Sequence, residues 1–483
     1  MCAEKRNNNQ NQGDINASEG KTENGAGRDK PNASRRKFLK LGLAGVGAAA
    51  VVGGGITAIK RMEGIVHQEF PLPVRDDFKR IDQRNQINVF AGSKALNEKH
   101  PERNHAFSEQ LKKENPQGFK PFHFYETRSK FMKLPEYRDA PGYTQLERAL
   151  AFGGFYSARQ QLGGGSMEAP NMGVSSWKQE MLAKNKYQFN SPEEAALAIK
   201  SAARLYGALR CGITKRDKRW DYNPVYDASI ERELTWEKDF PFEPKTVIVI
   251  LVEMDYHCMA AAPSWMQDAT VGDAYAHAIK TAGQLTIFLR QLGYQAVASM
   301  NDLGINAPYA IAAGLGEGAR NGQIITPKQG PRIRISKVYT DFEPVEIDKP
   351  RTFGVASFCL NCKRCADSCP SKAITFGDQS WEPTYSSDPD YIWHASRGVL
   401  KFHNDAKKCA KFWIDNDGSC GNCIAACPYN KPDFWHHRLV DAQNVLAPGP
   451  VHAFMREMDI FFGYGKVDDP ERVRKFWKMG AKI

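Results

Sequence analysis

The stretch CLNCKRCADSCP, Cys359 to Pro370, carries four thiols separated by two, two and three residues and closed by a proline. A C-x2-C-x2-C loop can wrap three corners of a four-iron cube, and in two-cluster ferredoxin runs the fourth Cys, just before Pro, serves the other cube. A second run, CAKFWIDNDGSCGNCIAACP, follows from Cys409 to Pro428, with one spacing stretched to ten residues. Crossing the two runs divides eight thiols into two complete sets. Cys359, Cys362, Cys365 and Cys427 would hold one 4Fe–4S cluster, and Cys369, Cys409, Cys420 and Cys423 the other. Zinc also accepts four thiolates, but a C-x3-C-P ending in both runs favours cubanes. Two clusters side by side make a wire, which implies a redox centre at one end.

Working outward, eight of the eleven cysteines fall between Cys359 and Cys427. A disulfide framework in a secreted chain is scattered through a short sequence instead, so metal is the better reading. Cys211 and Cys258 read as buried packing thiols; Cys2 lies in a polar leader. The net charge of +11 is shared between that leader and the rest, residues 1–60 holding 10 Lys/Arg against 5 Asp/Glu. The remaining excess is spread too thinly for a nucleic-acid stripe, and no nucleic-acid partner is expected.

Residues 1–30 are polar and Asn/Gly-rich, a composition expected to be disordered. Arg35–Arg36, with Phe38 and Lys40, then precede a Gly/Ala-rich apolar segment from Leu41 to Ile59. This pattern predicts a twin-arginine signal, read by a translocase that exports folded proteins. Clusters would be inserted in the cytoplasm before export, and the many glycines favour a processed signal over an anchor, cut near Ala48-Ala49-Ala50.

Residues 61–185 alternate prolines and aromatics without a sustained period and read as a loop-rich wrapping region. SPEEAALAIKSAARLYGALRCG predicts a helix with Ser191 and Glu194 as a capping box, Pro192 in the first turn and Gly212 as the stop. Thr246–Met254 is a β-branched run, hence a strand covered on both faces. A helix from Gly272 to Gly293, a strand at YQAVAS and a short helix at APYAIAAGLG follow. The glycine-rich GLGEGARNG, Gly314 to Gly322, leads into IITPKQGPRIRISKVYT, which reads as a hairpin. The fold class is α+β: an α/β core over 186–345, a ferredoxin-like domain with two 4Fe–4S clusters over 346–435, and a C-terminal extension over 436–483.

The leader, the two cysteine runs and the segment VEMDYHCMAAAPS…GLGEGARNG together resemble the respiratory reductive dehalogenases, most specifically from Thr246 to Pro432, and KFWIDNDGSCGNCIAACPYNKP fits that family better than generic ferredoxins. The resemblance implies a nitroreductase-like core holding a base-off cobamide, which is a corrinoid of cobalt, reduced through the two clusters to replace the halogen of an organohalide by hydrogen. It implies Tyr256 as proton donor and Arg320 as its basic partner, an adjacent cation being expected to lower the phenol's pKa. Gly314, Gly316, Gly318 and Asn321 would cradle the cobamide, although the family often reads GELGRNG where this chain reads GEGARNG. No D-x-H-x-x-G pattern supplies a histidine below cobalt, and His257, His277, His394, His403, His436 and His437 have no ligand spacing. Implied partners are the translocase, a small membrane-anchor protein and an upstream electron donor, quinol-linked or other, at the outer face of the cytoplasmic membrane. Alternatives are an epoxyqueuosine-reductase-like cobamide enzyme and a non-catalytic dicluster electron-transfer subunit.

Overall fold

The structure is a computed structural model that describes residues 64–131, 137–161, 177–432 and 449–480. The twin-arginine leader lies outside the described residues, as do His436 and His437. No helix among the described residues is long and apolar enough to cross a membrane.

Residues 61–185 are more regular than their composition suggests. They include helices Ile87–Gly92, Lys94–Lys99, Pro101–Glu114 and Phe124–Phe131, then α1 at Gln145–Gln161. Most of these are only one to four turns long, and their aromatics face one another rather than a distant core. Phe90, Phe107, Phe122 and Phe124 bury together with Tyr391 and Ala410 of the cysteine region.

Helix α2, Pro192–Leu205, starts as predicted, Ser191 Oγ accepting from Glu194 N at 3.2 Å. The returning half of the box is shifted by one residue, since Glu194 Oε2 accepts from Asn190 N at 2.9 Å. The helix stops earlier than expected, because Gly207, at φ +107, turns the chain in a region that L side chains rarely adopt. Gly212 instead lies within strand β1, Arg210–Lys215.

Strand β2 runs over Thr246–Glu253, followed by α3 at Tyr256–Met259 and α4 at Trp265–Gln291. Next come β3 at Ala296–Ser299, α5 at Asn306–Ala312 and β4 at Ile333–Thr340. The sheet order is β1-β2-β4-β3, and every pairing is antiparallel. The expected hairpin over 324–340 is reduced to an isolated bridge between Thr326 and Gly330, since Ile324–Ile325 pairs back with Glu317–Gly318 and β4 goes to the sheet interior.

Covering of β2 on both faces is as its apolar run required. Val247, Val249 and Leu251 point into one core with Trp220, Trp236, Tyr309 and Tyr339. Ile248 and Ile250 point into the other, against Ala195 and Ile199 of α2 and Leu285 and Leu289 of α4. Alternation across the pleat puts successive side chains on opposite faces, so an unbroken apolar strand is stable only between two layers. Cys211 and Cys258 take the packing roles expected of them, burial pushing the Cys211 thiol up to about 12.

Candidate redox and proton-transfer site

The cysteine region begins with α6, Val355–Cys362, and α7, Arg364–Asp367. Gly354, the residue before α6, offers no side-chain cap. Glu317 supplies it from outside: its buried carboxylate accepts from the amides of Phe353, Val355 and Ala356. A carboxylate at a helix N-terminus satisfies orphan donors and complements the helix dipole.

Every described cysteine is a free thiol. Cys359, Cys362, Cys365 and Cys427 line one cavity, whose walls also include Arg320, Asn321, Phe358 and Tyr429. The thiols act on one another in the same grouping. Burial, then Cys359, Cys362 and Cys365, pushes Cys427 well above the usual thiol range. Burial, then Cys409, Cys420 and Cys369, does the same to Cys423. The two groups adjoin, since Cys423 also acts on Cys365.

This donor set fits two cubanes. Burial above all, with the neighbouring thiols, pushes Cys359 and Cys409 up to about 12, so the protein by itself keeps these thiols protonated. A cationic core among four sulfurs reverses that preference, because a coordinating thiol is deprotonated by the metal's charge. Among the described residues no three His, Cys, Asp or Glu are grouped as a lone metal ion would need; Cys359, Cys362, Cys365 and Cys427 surround a cavity instead.

Helix α8, Ala406–Asp415, carries Cys409, and α9, Asn422–Ala425, carries Cys423. The loop between them docks on the start of α4. Asp268 accepts from Ser419 N at 3.2 Å and from Ser419 Oγ, and Trp265 Nε1 donates to Asp417 O at 2.6 Å. Ile424 and Cys423 share an apolar cluster with Met254 and Met259, which flank Tyr256.

Tyr256 is half-buried at the first turn of α3, just beyond the end of β2. Arg332 faces its ring, the guanidinium carbon lying 5.5 Å from the centroid. Arg332 Nη1 donates to Met254 O at 2.6 Å and to Glu253, and its Nε donates to Asn430 Oδ1 at 3.0 Å. One side chain thus ties the end of β2 to the loop just after Cys427. Burial pushes the Tyr256 phenol above its ordinary value and outweighs Arg472 and Arg332, which act the other way. The expected lowering by a cation is therefore overturned in net sign.

The expected pairing of Tyr256 with Arg320 is not found. Arg320, 0 % exposed, donates from Nε to Cys359 O at 3.0 Å and from Nη1 to Thr375 O and Gly377 O at 2.7 and 2.6 Å. Its guanidinium carbon lies 4.4 Å from the centre of the Phe402 ring. Two of its donor nitrogens are therefore committed to the cysteine region.

The residues expected to cradle a cobamide are in part committed to contacts within the chain. A Cβ on Gly314, at φ +68, would sit 2.4 Å from Lys349 O, and one on Gly316 would sit 2.7 Å from Ile325 O. Gly318 faces Ile311 and Leu72 side chains. Asn321 spends its amide on Cys423 O at 3.4 Å and its carbonyl on Gln323 N at 3.1 Å. Gly314 and Gly316 thus pack against the chain's own backbone, and Asn321 bonds to the second cysteine run.

Two further residues reach this region from helix α10, Gly449–Phe461. His452, 1 % exposed, packs edge-on against Phe358 at 5.3 Å. Asp459, 5 % exposed, accepts from Lys431 Nζ at 2.5 Å and lies 3.6 Å from Arg364. Neither stands in a motif; only the fold brings His452 beside Phe358 and Asp459 beside Arg364.

Residues 358–431 match the 4Fe-4S dicluster domain. The chain is 36% identical over 357 residues to a tetrachloroethene reductive dehalogenase of Desulfitobacterium hafniense, covering 65% of this chain and 63% of that protein. It is 35% identical over 301 residues to the tetrachloroethene reductive dehalogenase of Sulfurospirillum multivorans, covering 57% and 58%. The chain thus spans about three-fifths of these relatives' length. A catabolic reductive dehalogenase of known structure shares the fold with a TM-score of 0.60 at 21% identity, over 86% of this chain and 50% of that one. A protein with a 4Fe-4S dicluster domain, whose mixed helix and sheet architecture and sequence are similar to those of reductive dehalogenases, is what these findings describe.

Proposed function

We propose that the protein is a reductive dehalogenase: a carbon–halogen bond, two electrons and a proton become a carbon–hydrogen bond and a halide ion. The observation that supports this most is the gathering of eight thiols into two fours against the segment that bears Tyr256, in a chain similar to enzymes of that name. In this reading Cys359, Cys362, Cys365 and Cys427 hold one 4Fe–4S cluster, and Cys369, Cys409, Cys420 and Cys423 hold the other. Such clusters, when bound, supply one-electron transfers. The chain's part is to bury them, cap α6 through Glu317 and fasten the second loop through Asp268.

Tyr256 is the proton donor. A phenol ordinarily loses its proton near pH ~10, and burial raises that value further, so Tyr256 stays protonated at neutral pH. Arg332 and Arg472 favour the phenolate left after transfer, and Arg332 takes the place first given to Arg320. A cobamide in a nitroreductase-like core is what the resemblance adds. No step is assigned to it.

The leader belongs to the same reading: export by the twin-arginine route to the outer face of the cytoplasmic membrane, with a small membrane-anchor protein and an upstream donor, quinol-linked or other. Since similar proteins are named for tetrachloroethene, a chlorinated alkene is the first organohalide to test. Purified protein reduced by titanium(III) citrate and methyl viologen should release chloride from tetrachloroethene, with a less chlorinated ethene as product. Protein loaded with iron, sulfide and cobalt that frees no halide from chlorinated alkenes, alkanes or aromatics would leave the electron-transfer reading in its place.

A further inference from the structure

We propose that Arg320 is a positioning residue for the cluster of Cys359, Cys362, Cys365 and Cys427, and that its charge raises that cluster's reduction potential. The inference rests on the assignment of that cluster to those four thiols. Arg320 is fully buried, and a guanidinium keeps its proton under all ordinary conditions. Among the described residues its hydrogen-bond partners are three carbonyl oxygens, those of Cys359, Thr375 and Gly377. No carboxylate balances it there, and an unbalanced buried charge is costly.

Its third nitrogen supplies the missing piece. Nη2 is buried without a hydrogen-bond partner, and the residue lines the cavity enclosed by the four thiols. Its Nε is held 3.0 Å from the carbonyl oxygen of Cys359, one of the four thiol-bearing residues of that cavity, which fixes the charge beside the loop. Four thiolates around a cube would carry net negative charge, which the guanidinium would partly offset, and a sulfur of that site would be the acceptor that Nη2 otherwise lacks. Reduction adds one electron to the cluster. A fixed cation and an N–H donor stabilise the more negative state, and hydrogen bonds and net charge are among the main controls of cluster potential. Nε and Nη1 meanwhile tie Cys359 to the 375–377 turn, while Glu317 caps the start of the same helix. The GLGEGARNG segment thereby acts as a clamp on the cysteine loop.

The test is a redox titration of the full protein and of Arg320→Gln and Arg320→Lys, with titanium(III) citrate as reductant and electron paramagnetic resonance as the readout, after iron and sulfide have been counted. In R320Q one of the two cluster signals should move to lower potential by about 59 mV, a tenfold change in a one-electron equilibrium, while the other stays in place. R320K, which retains the charge without the fork, should shift less. Unmoved potentials in iron-replete R320Q would overturn the proposal. If R320Q loses iron, Arg320→Met, uncharged and similar in length, decides: a lowered potential for one cluster supports the proposal, an unmoved one overturns it. An unsubstituted protein lacking two clusters' worth of iron would instead remove the assignment beneath it, before any variant is compared.

Discussion

The two arginines of neighbouring sequence, Arg320 and Arg332, serve regions built on different principles. Arg320 works in the cysteine region, where most of the donors come from two short runs and each thiol lies a few residues from the next. Arg332 works at the end of the sheet, where the 253–256 segment, Asn430 and Arg472 arrive from three widely separated stretches. A cluster of fixed size demands fixed ligand spacing, so its chemistry is written locally. A proton donor needs only one positioned group and a suitable field, which any part of the chain can supply.

The largest effect that sharpens this contrast is expected from Cys427→Ser. It lies 62 residues from its nearest partner thiol in the first run, Cys365, yet should remove one whole cluster, about four of eight iron atoms. Halide release should fall to background, with iron and sulfide analysis as the check. Loss of all iron, or of none, would break the crossed division.

Tyr256→Phe should follow, lowering kcat by about 10²–10⁴, the usual worth of a positioned acid, with iron content and thermal midpoint unchanged. A smaller and directional effect is expected on the pH profile. Activity that needs the phenol protonated is lost as pH rises through its pKa, and burial sets that limb above the ordinary value. Arg332→Gln removes a charge that lowers the pKa, so the alkaline limb should move still higher, whereas Arg320→Gln should leave it in place. Equal movement in both variants would put the two arginines at one site.

The smallest expected effect is Ser191→Ala in α2, a loss of about 1 kcal/mol in a urea melt from one N-cap hydrogen bond, with both clusters and halide release untouched. It tests a feature readable in the sequence and remote from either arginine.

Much of the molecule was legible in this way. Ser191, Pro192 and Glu194 announced a helix start because capping is a contact between neighbours along the chain. The apolar run of β2 announced a strand between two layers, and the cysteine spacings announced the 4Fe-4S dicluster domain that residues 358–431 match. The helices of residues 87–131 were obscured, because short segments stabilised by mutual aromatic packing carry little periodicity.

What the sequence determined by itself was whatever depends on residues a few positions apart: caps, strand alternation and ligand spacing. Only the tertiary structure decided the antiparallel order β1-β2-β4-β3, the docking of Ser419 on Asp268, and the arrival of Asp459 beside Arg364. It also decided which arginine meets Tyr256 and which meets the thiols. Side-chain charge acts over ångströms in space, and twelve residues of sequence place Arg320 and Arg332 in different surroundings once the chain between them folds into its own two-residue ladder and turn.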